Sequence, residues 1–155
     1  MLKLMGYKYG VWYVYPKRTF PTKHIGHFTV TCFMDKEDAK KLYIELISKV
    51  GKTNMINVDC KNPVIFEKNM YEDDNNEMCP WGYKGHILNW NTIRKITENY
   101  KCNFSQHPHT SIEYKKDESK LNPQKLTANQ LVNCELELVN ICSDKPNDWY
   151  IIKEI

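Results

Sequence analysis

Two short segments of the sequence place a histidine two residues before a hydroxyl side chain. His27 precedes Thr29, His109 precedes Ser111, and an aliphatic residue follows each hydroxyl. We call these pairs the first dyad (His27, Thr29) and the second dyad (His109, Ser111). Both segments have the composition of strands, and residues two apart in a strand project from the same face. The sequence therefore predicts two matched pairs of an imidazole beside a hydroxyl.

Two such dyads that face each other suit the chemistry of a phosphodiester. The ordinary pKa of histidine, about 6.5, allows one imidazole to remove a proton and the other to supply one near neutral pH. Each positioned proton transfer contributes about 10²–10⁴ in rate. The hydroxyl groups can donate hydrogen bonds to the non-bridging phosphate oxygens and hold the phosphorus between the imidazoles. This chemistry needs no metal ion, and it leaves open which histidine is the acid.

The pattern alone leaves a second interpretation open. Five histidines occur in the chain, and one match to a spacing this short carries little weight. In this second interpretation, His27 and His109 are half-buried sheet residues with cross-strand contacts to hydroxyl side chains. The distinction depends on whether the two imidazoles lie in one site.

The paired motifs, the proline directly before the second one (Pro108) and the strand sequence GVWYV at residues 10–14 resemble the two-histidine (2H) phosphoesterase superfamily. The resemblance covers essentially the whole chain in the order of its elements. It implies one α+β domain over residues 1–155 with a two-lobed, pseudo-symmetric fold. Antiparallel sheets then form a central cleft, helices lie on the outside, and each lobe contributes one dyad.

The resemblance also implies an activity. The superfamily contains RNA 2′,3′-cyclic phosphodiesterases, 2′-5′ RNA ligase-like proteins, 2′-5′ oligoadenylate phosphodiesterases and viral enzymes that degrade cyclic dinucleotide immune signals. We therefore expect a monomeric phosphodiesterase without cofactor that acts on a cyclic oligonucleotide, a 2′-5′-linked oligoadenylate or a 2′,3′-cyclic phosphate. Two alternatives are RNA end processing or repair, with RNA ends as the partner, and a non-catalytic nucleotide- or RNA-binding module. A metal-dependent hydrolase is a third.

Further residues are candidates for substrate binding. Aromatic side chains can stack on a base, and lysine can contact a phosphate. Strand alternation places two neighbouring aromatic residues of the first strand on opposite faces, so at most one of them faces a cleft. Core packing is the alternative for each aromatic residue, and a solvated loop is the alternative for the lysine. The candidates are Trp12, Tyr13, Lys23, Trp149 and Tyr150.

Two histidine spacings also occur in zinc sites. His24 and His27 form H-x-x-H, and His107 and His109 form H-x-H. A third cysteine or histidine ligand at a customary spacing is missing from the sequence around both pairs. We therefore predict no metal site.

The remaining pattern predicts an α+β fold with mainly antiparallel strands. Asp35 as N-cap, acidic residues in the first turn, helical spacing of apolar residues and Gly51 as a stop predict a helix. A second helix is predicted over residues 92–100, a short helical turn near Thr127, and an exposed acidic loop over residues 71–80. Strands are predicted over residues 7–15, 27–33, 55–59, 64–68, 83–90, 109–114, 134–141 and 149–155.

Composition excludes several classes. The chain has 155 residues, 41% of them hydrophobic, and a net charge of +3, which is too small for a protein dedicated to coating nucleic acid. No apolar run is long enough for a membrane span, and the N-terminus lacks the apolar segment of a signal peptide. Six cysteines without a C-x-x-C pair are typical of free thiols in a reducing compartment. We therefore expect a cytoplasmic protein, located in the host cytoplasm if the source is a virus.

Overall fold

A computed structural model describes residues 8–66, 78–142 and 145–154 of the chain. The described residues form helices α1 (Lys36–Lys49) and α2 (Trp90–Thr97) and two single turns of 3-10 helix, at Glu118–Lys120 and Pro146–Asp148. They also form nine β-strands. The strands are β1 (Tyr9–Val14), β2 (His27–Met34), β3 (Thr53–Val58), β4 (Val64–Ile65), β5 (Cys79–Ile87), β6 (Asn103–Phe104), β7 (His109–Lys115), β8 (Gln130–Asn140) and β9 (Tyr150–Ile151).

The first helix follows the sequence signals closely. The Asp35 carboxylate accepts a hydrogen bond from the backbone N–H of Asp38 at 2.8 Å, which satisfies one of the free amides of the first turn. Gly51 follows the C-terminus with φ at +108°, a conformation that only glycine adopts without strain. The predicted helix between Asp35 and Gly51 is therefore confirmed. Its buried face consists of Ala39, Leu42, Tyr43 and Leu46.

The strands join in one curled, antiparallel sheet. Its order is β4-β5-β3-β8-β1-β2-β6, with β7 paired to the first part of β5 and β9 paired to the end of β8. Every pairing is antiparallel, so the prediction of an α+β fold with antiparallel strands is confirmed.

The two faces of the sheet carry two apolar clusters. Val11 and Tyr13 point into the larger cluster, together with the buried face of α1. Trp12 lies between them in sequence and points to the other side, where it packs with Val139 and Trp149. The expected separation of Trp12 and Tyr13 onto opposite faces is thus observed.

No helix of the described residues is long and apolar enough to cross a membrane.

Several elements differ from expectation. The segments predicted as strands on either side of residues 61–63 form β3 and β4, and both strands pair with β5. The short helical turn lies at Glu118–Lys120 and not near Thr127. The two-residue strand β6 was not predicted, because two residues carry no periodic pattern. Most of the acidic loop predicted over residues 71–80 lies outside the described residues.

Candidate active site

One cleft contains both dyads. His27 and Thr29 from β2 and His109 and Ser111 from β7 all line a cleft of about 720 Å³. The two segments are far apart in the sequence, so the tertiary fold brings them together. The structure thus places all four predicted catalytic residues around one space.

The pairing of β1 with β2 positions the first dyad. Thr29 lies opposite Trp12, and His27 lies opposite Val14 at the start of β2. Because His27 and Thr29 are two residues apart in one strand, they project from the same face of the sheet. Trp12 lines the same cleft, beside the dyad on the adjacent strand.

The pairing of β5 with β7 positions the second dyad in the same way. His109 lies opposite Lys84 at the start of β7, and Ser111 lies opposite Gly82. A Cβ atom on Gly82 would overlap the carbonyl oxygen of Thr110. The absence of a side chain at Gly82 therefore allows the two strands to approach beside Ser111.

Both catalytic candidates make the same hydrogen bond to the backbone. The Nδ1–H of His27 donates to the carbonyl of Ile25 at 2.7 Å, and that of His109 donates to the carbonyl of His107 at 2.9 Å. A carbonyl oxygen only accepts, so Nδ1 carries the hydrogen in both rings. In each neutral imidazole, Nε2 is then the nitrogen that can take up a proton.

The His27 imidazole is buried against two indoles. It lies parallel to the Trp12 ring, with centroids 3.5 Å apart and an angle of 7° between the planes, and Trp149 meets it edge-on. Its exposed fraction is 7%. Burial lowers the pKa of His27 to about 3, and the nearby charges of His24 and His109 act in the same direction. His27 is therefore neutral at physiological pH.

His109 occupies a more open position. Its ring packs on Phe66 at 4.3 Å between centroids, with 34° between the planes, whereas His27 contacts two indoles. Burial lowers the pKa of His109 from its ordinary value, and the hydrogen bond to the His107 carbonyl opposes this effect. The contact with Phe66 was not predicted, because ring contacts between distant segments leave no local pattern in the sequence.

A third histidine, His24, joins the two dyads. Its Nε2–H donates to the backbone carbonyl of Ser111 at 2.9 Å, and its ring meets the His27 ring edge-on at 6.1 Å. Only 9% of His24 is exposed, and burial lowers its pKa. The H-x-x-H spacing drew attention to His24 as a possible zinc ligand, but the sequence did not predict this bridging position.

A second buried contact joins the same two segments on the opposite face. The hydroxyl groups of Tyr15 and Thr110 lie 2.6 Å apart and share a hydrogen bond. The fully buried side chain of Thr110 points away from the cleft.

The candidates for substrate binding divide into two groups. Trp12 and Trp149 line the cleft with both dyads. Tyr13 is fully buried in the larger cluster, and its hydroxyl accepts a hydrogen bond from Asn54, so the expectation that Tyr13 meets substrate is wrong. Tyr150 does not line this cleft; it is 49% exposed and its hydroxyl accepts a hydrogen bond from Asn140, so its role in substrate binding stays a prediction.

Lys23 also lies outside the cleft. It lines a neighbouring cavity of about 600 Å³, on the far side of His24 and Tyr114. The loop from Pro16 to Gly26 folds so that His24 points inward and Lys23 points to solvent. The expected contact between Lys23 and a phosphate held by the dyads is therefore not supported.

Among the described residues, no three His, Cys, Asp or Glu side chains are grouped so that they could hold a metal ion.

Comparison with protein-family models and with curated proteins finds no match to this chain.

Proposed function

We propose that this protein is a metal-independent phosphodiesterase of the 2H type, which cleaves a nucleotide phosphodiester by paired-histidine acid–base catalysis. The proposed substrates are a cyclic oligonucleotide, a 2′-5′-linked oligoadenylate or a 2′,3′-cyclic phosphate. The observation that carries this proposal is the convergence of the two dyads on one cleft, each histidine with the same Nδ1 hydrogen bond.

The local pairing of the strands supports the 2H fold as part of the proposal. In each dyad the histidine is the first residue of a strand, β2 or β7. That strand pairs antiparallel with a strand that comes earlier in the chain, β1 for β2 and β5 for β7. Tyr13 lies opposite Phe28, the residue between His27 and Thr29. Tyr83 lies opposite Thr110, the residue between His109 and Ser111. The β1–β2 and β5–β7 pairs are then the equivalent halves of a pseudo-symmetric, two-lobed molecule.

The surroundings of the two histidines favour different roles. His27, which is buried and neutral, acts as the general base through Nε2, and His109 acts as the general acid. A bound phosphodiester brings a negative charge to the cleft, and this charge favours the protonated form of the more open His109. The carbonyl of His107 also accepts from the imidazolium at Nδ1, which leaves the Nε2 proton for the leaving group.

The reaction then proceeds as an in-line displacement at phosphorus. His27 removes a proton from the attacking oxygen, which belongs to water or to a neighbouring ribose hydroxyl. The bond from this oxygen to phosphorus forms while the bond to the leaving oxygen breaks, and His109 gives its Nε2 proton to the leaving oxygen. The hydroxyls of Thr29 and Ser111 donate to the non-bridging oxygens and stabilise the charge that develops there.

Turnover of a defined panel tests the proposal. The panel contains 2′,3′-cyclic nucleotides, 2′-5′ oligoadenylates, cyclic dinucleotides and RNA with a cyclic phosphate end, assayed with excess EDTA and with identified products. We expect at least one substrate to be cleaved in EDTA, and His27→Ala or His109→Ala to lower kcat by about 10²–10⁴.

The matched control is His86→Ala, because His86 is exposed on β5 and lies outside the cleft. This variant should retain full activity and show that loss of a histidine alone is harmless. If the protein binds a nucleotide but cleaves nothing on the panel, the non-catalytic binding module is the correct interpretation. Activity that disappears in EDTA contradicts the metal-independent mechanism.

A further inference from the structure

Phe33 has an unusual backbone conformation beside the proposed site. It lies near the end of β2 with φ at +57°, and it is the one described residue other than glycine with a positive φ. For a bulky L-residue this left-handed region is unfavourable, because Cβ crowds the backbone. Such strain persists only where the surrounding structure imposes it.

An irregularity in the sheet imposes this conformation. Tyr9 lies opposite Met34 while Val11 lies opposite Thr31, so β2 has one residue more than β1 between these two pairs. This is the pattern of a β-bulge, which redirects the side chain of the extra residue. Gly10 stands opposite the bulge.

The bulge also depends on Gly10. A Cβ atom at Gly10 would lie 2.6 Å from the Thr31 carbonyl oxygen and 3.2 Å from the Cys32 Cα. A larger residue would push β2 away from β1 at this point. The sequence therefore combines a glycine in one strand with a strained phenylalanine in the next.

Core packing does not account for the Phe33 ring. Phe33 belongs to neither apolar cluster and makes no ring contact with another described aromatic residue. Its side chain is half-buried, and it lines the same cleft as both dyads. The bulge thus turns a large apolar surface into the space where the substrate would lie.

Polar side chains suited to a nucleobase lie on the neighbouring strand β6 and in the loop that follows it. Asn103 pairs with Cys32, next to Phe33, and both Asn103 and Gln106 are exposed in the cleft. Within the described residues, no hydrogen bond is formed by either side-chain amide. Amides offer both donors and acceptors to the edge of a base.

We propose that Phe33 is the base-stacking residue of the cleft and that the amide of Asn103 contacts the edge of the stacked base. This inference rests on the proposed function, because it assigns the nucleobase subsite of the same substrate. The unfavourable backbone of Phe33 is retained because it holds the ring in the cleft. Stacking on an aromatic side chain contributes substantially to nucleotide binding and tolerates different bases.

Binding measurements separate this subsite from the catalytic chemistry. Each of the four nucleoside 2′-monophosphates is titrated into the protein by calorimetry, with ribose 5-phosphate as the ligand without a base. Phe33→Leu should weaken the binding of at least one nucleotide about tenfold and leave ribose 5-phosphate unchanged. Phe33→Tyr keeps the ring and should bind as the wild type does.

Thermal unfolding of a third variant tests the role of the strain. Asparagine tolerates a positive φ, so Phe33→Asn should raise Tm by about 2–4 °C while it weakens nucleotide binding. A residue kept for packing would behave in the opposite way: its loss would lower Tm and leave the preference for a base intact.

The outcomes distinguish the two proposals. Equal nucleotide binding by wild type and Phe33→Leu overturns the inference, whatever the turnover. Wild-type protein that binds no nucleotide more tightly than ribose 5-phosphate overturns it as well. Binding that depends on Phe33 without turnover of the substrate panel supports the subsite and contradicts the proposed activity.

Discussion

His24 donates its Nε2–H to the backbone carbonyl of Ser111, 2.9 Å away, and so connects the loop before the first dyad to the strand of the second. The same ring meets Tyr114 edge-on at 5.2 Å and Trp149 at 6.4 Å. His24 does not line the cleft that contains the two dyads. We therefore regard it as a positioning residue, which fixes the separation of the two dyads.

Substitution of His24 tests this role. Phenylalanine preserves the ring but removes the donor, so His24→Phe should lower the free energy of unfolding by about 1–3 kcal/mol. It should also lower kcat about tenfold with little change in KM, because a displaced Ser111 affects the transition state more than the ground state. Urea unfolding and steady-state kinetics on the cleaved substrate measure both effects.

The control for this experiment is His24→Gln, which retains a side-chain N–H that can donate to the Ser111 carbonyl. Partial recovery of kcat relative to His24→Phe would support the hydrogen bond as the cause. If both variants are fully active at normal stability, the bridge has no role in positioning the dyads.

Much of the candidate site could be predicted because strand periodicity is a local property. The i and i+2 spacing of His27 and Thr29 fixes their common face in any strand, and the same holds for the second dyad. The N-cap at Asp35 was equally clear, since capping depends on a few neighbouring residues.

Other features depend on contacts between distant segments and left no pattern in the sequence. The carbonyl that His24 binds belongs to a strand 87 residues away. The bulge at Phe33 is visible only in the register of β1 against β2. Tyr13 was a poor candidate because its aromatic ring suits both a base and a core, and strand alternation assigns it to the core.

The rate should depend on pH in a defined direction. In the free enzyme, His27 must be neutral and His109 protonated, and both pKa values lie below the ordinary value of 6.5. We therefore expect kcat/KM to fall about tenfold per pH unit above the pKa of His109. Steady-state kinetics from pH 4 to 9 give the profile.

Bound substrate should shift the pH above which the rate falls. The negative phosphodiester stabilises the imidazolium of His109, so kcat should fall at a higher pH than kcat/KM does. A value of kcat/KM that instead rises between pH 5 and 7 would mean that the essential base has an ordinary histidine pKa. This result would contradict the assignment of His27 as a buried, neutral base.

The leaving group distinguishes the acid from the base. A nucleoside p-nitrophenyl phosphate releases a phenolate of low pKa, which departs without a proton from an acid. On this substrate, His109→Ala should retain activity within about tenfold of the wild type, whereas His27→Ala should lose about 10²-fold or more. The release of p-nitrophenolate is followed by absorbance.

The same substrate also tests the opposite assignment, in which His27 is the acid and His109 the base. Retention of activity by His27→Ala and not by His109→Ala would reverse the two roles. An equal, large loss in both variants would show that each histidine is needed for more than proton transfer to the leaving oxygen.

Stability should fall in acid because of the buried imidazoles. The folded-state pKa of His27, about 3, lies below the value of about 6.5 in the unfolded chain, so the unfolded state binds the proton more readily between these values. The contribution of His27 is fully present above pH 6.5 and declines by about 1.4 kcal/mol per pH unit as the pH falls towards 3. His24, whose pKa burial also lowers, acts in the same direction.

Urea unfolding at pH 7, 6, 5 and 4 measures this decline, and His27→Gln isolates its source. Glutamine does not titrate, so the variant should lose about 3 kcal/mol less stability than the wild type between pH 7 and 4. Carboxylates that titrate below pH 5 affect both proteins equally and cancel in the comparison. Parallel curves for the two proteins would mean that the His27 imidazole accepts a proton in the folded state as readily as in water, and the buried stack on Trp12 would then not exist in solution.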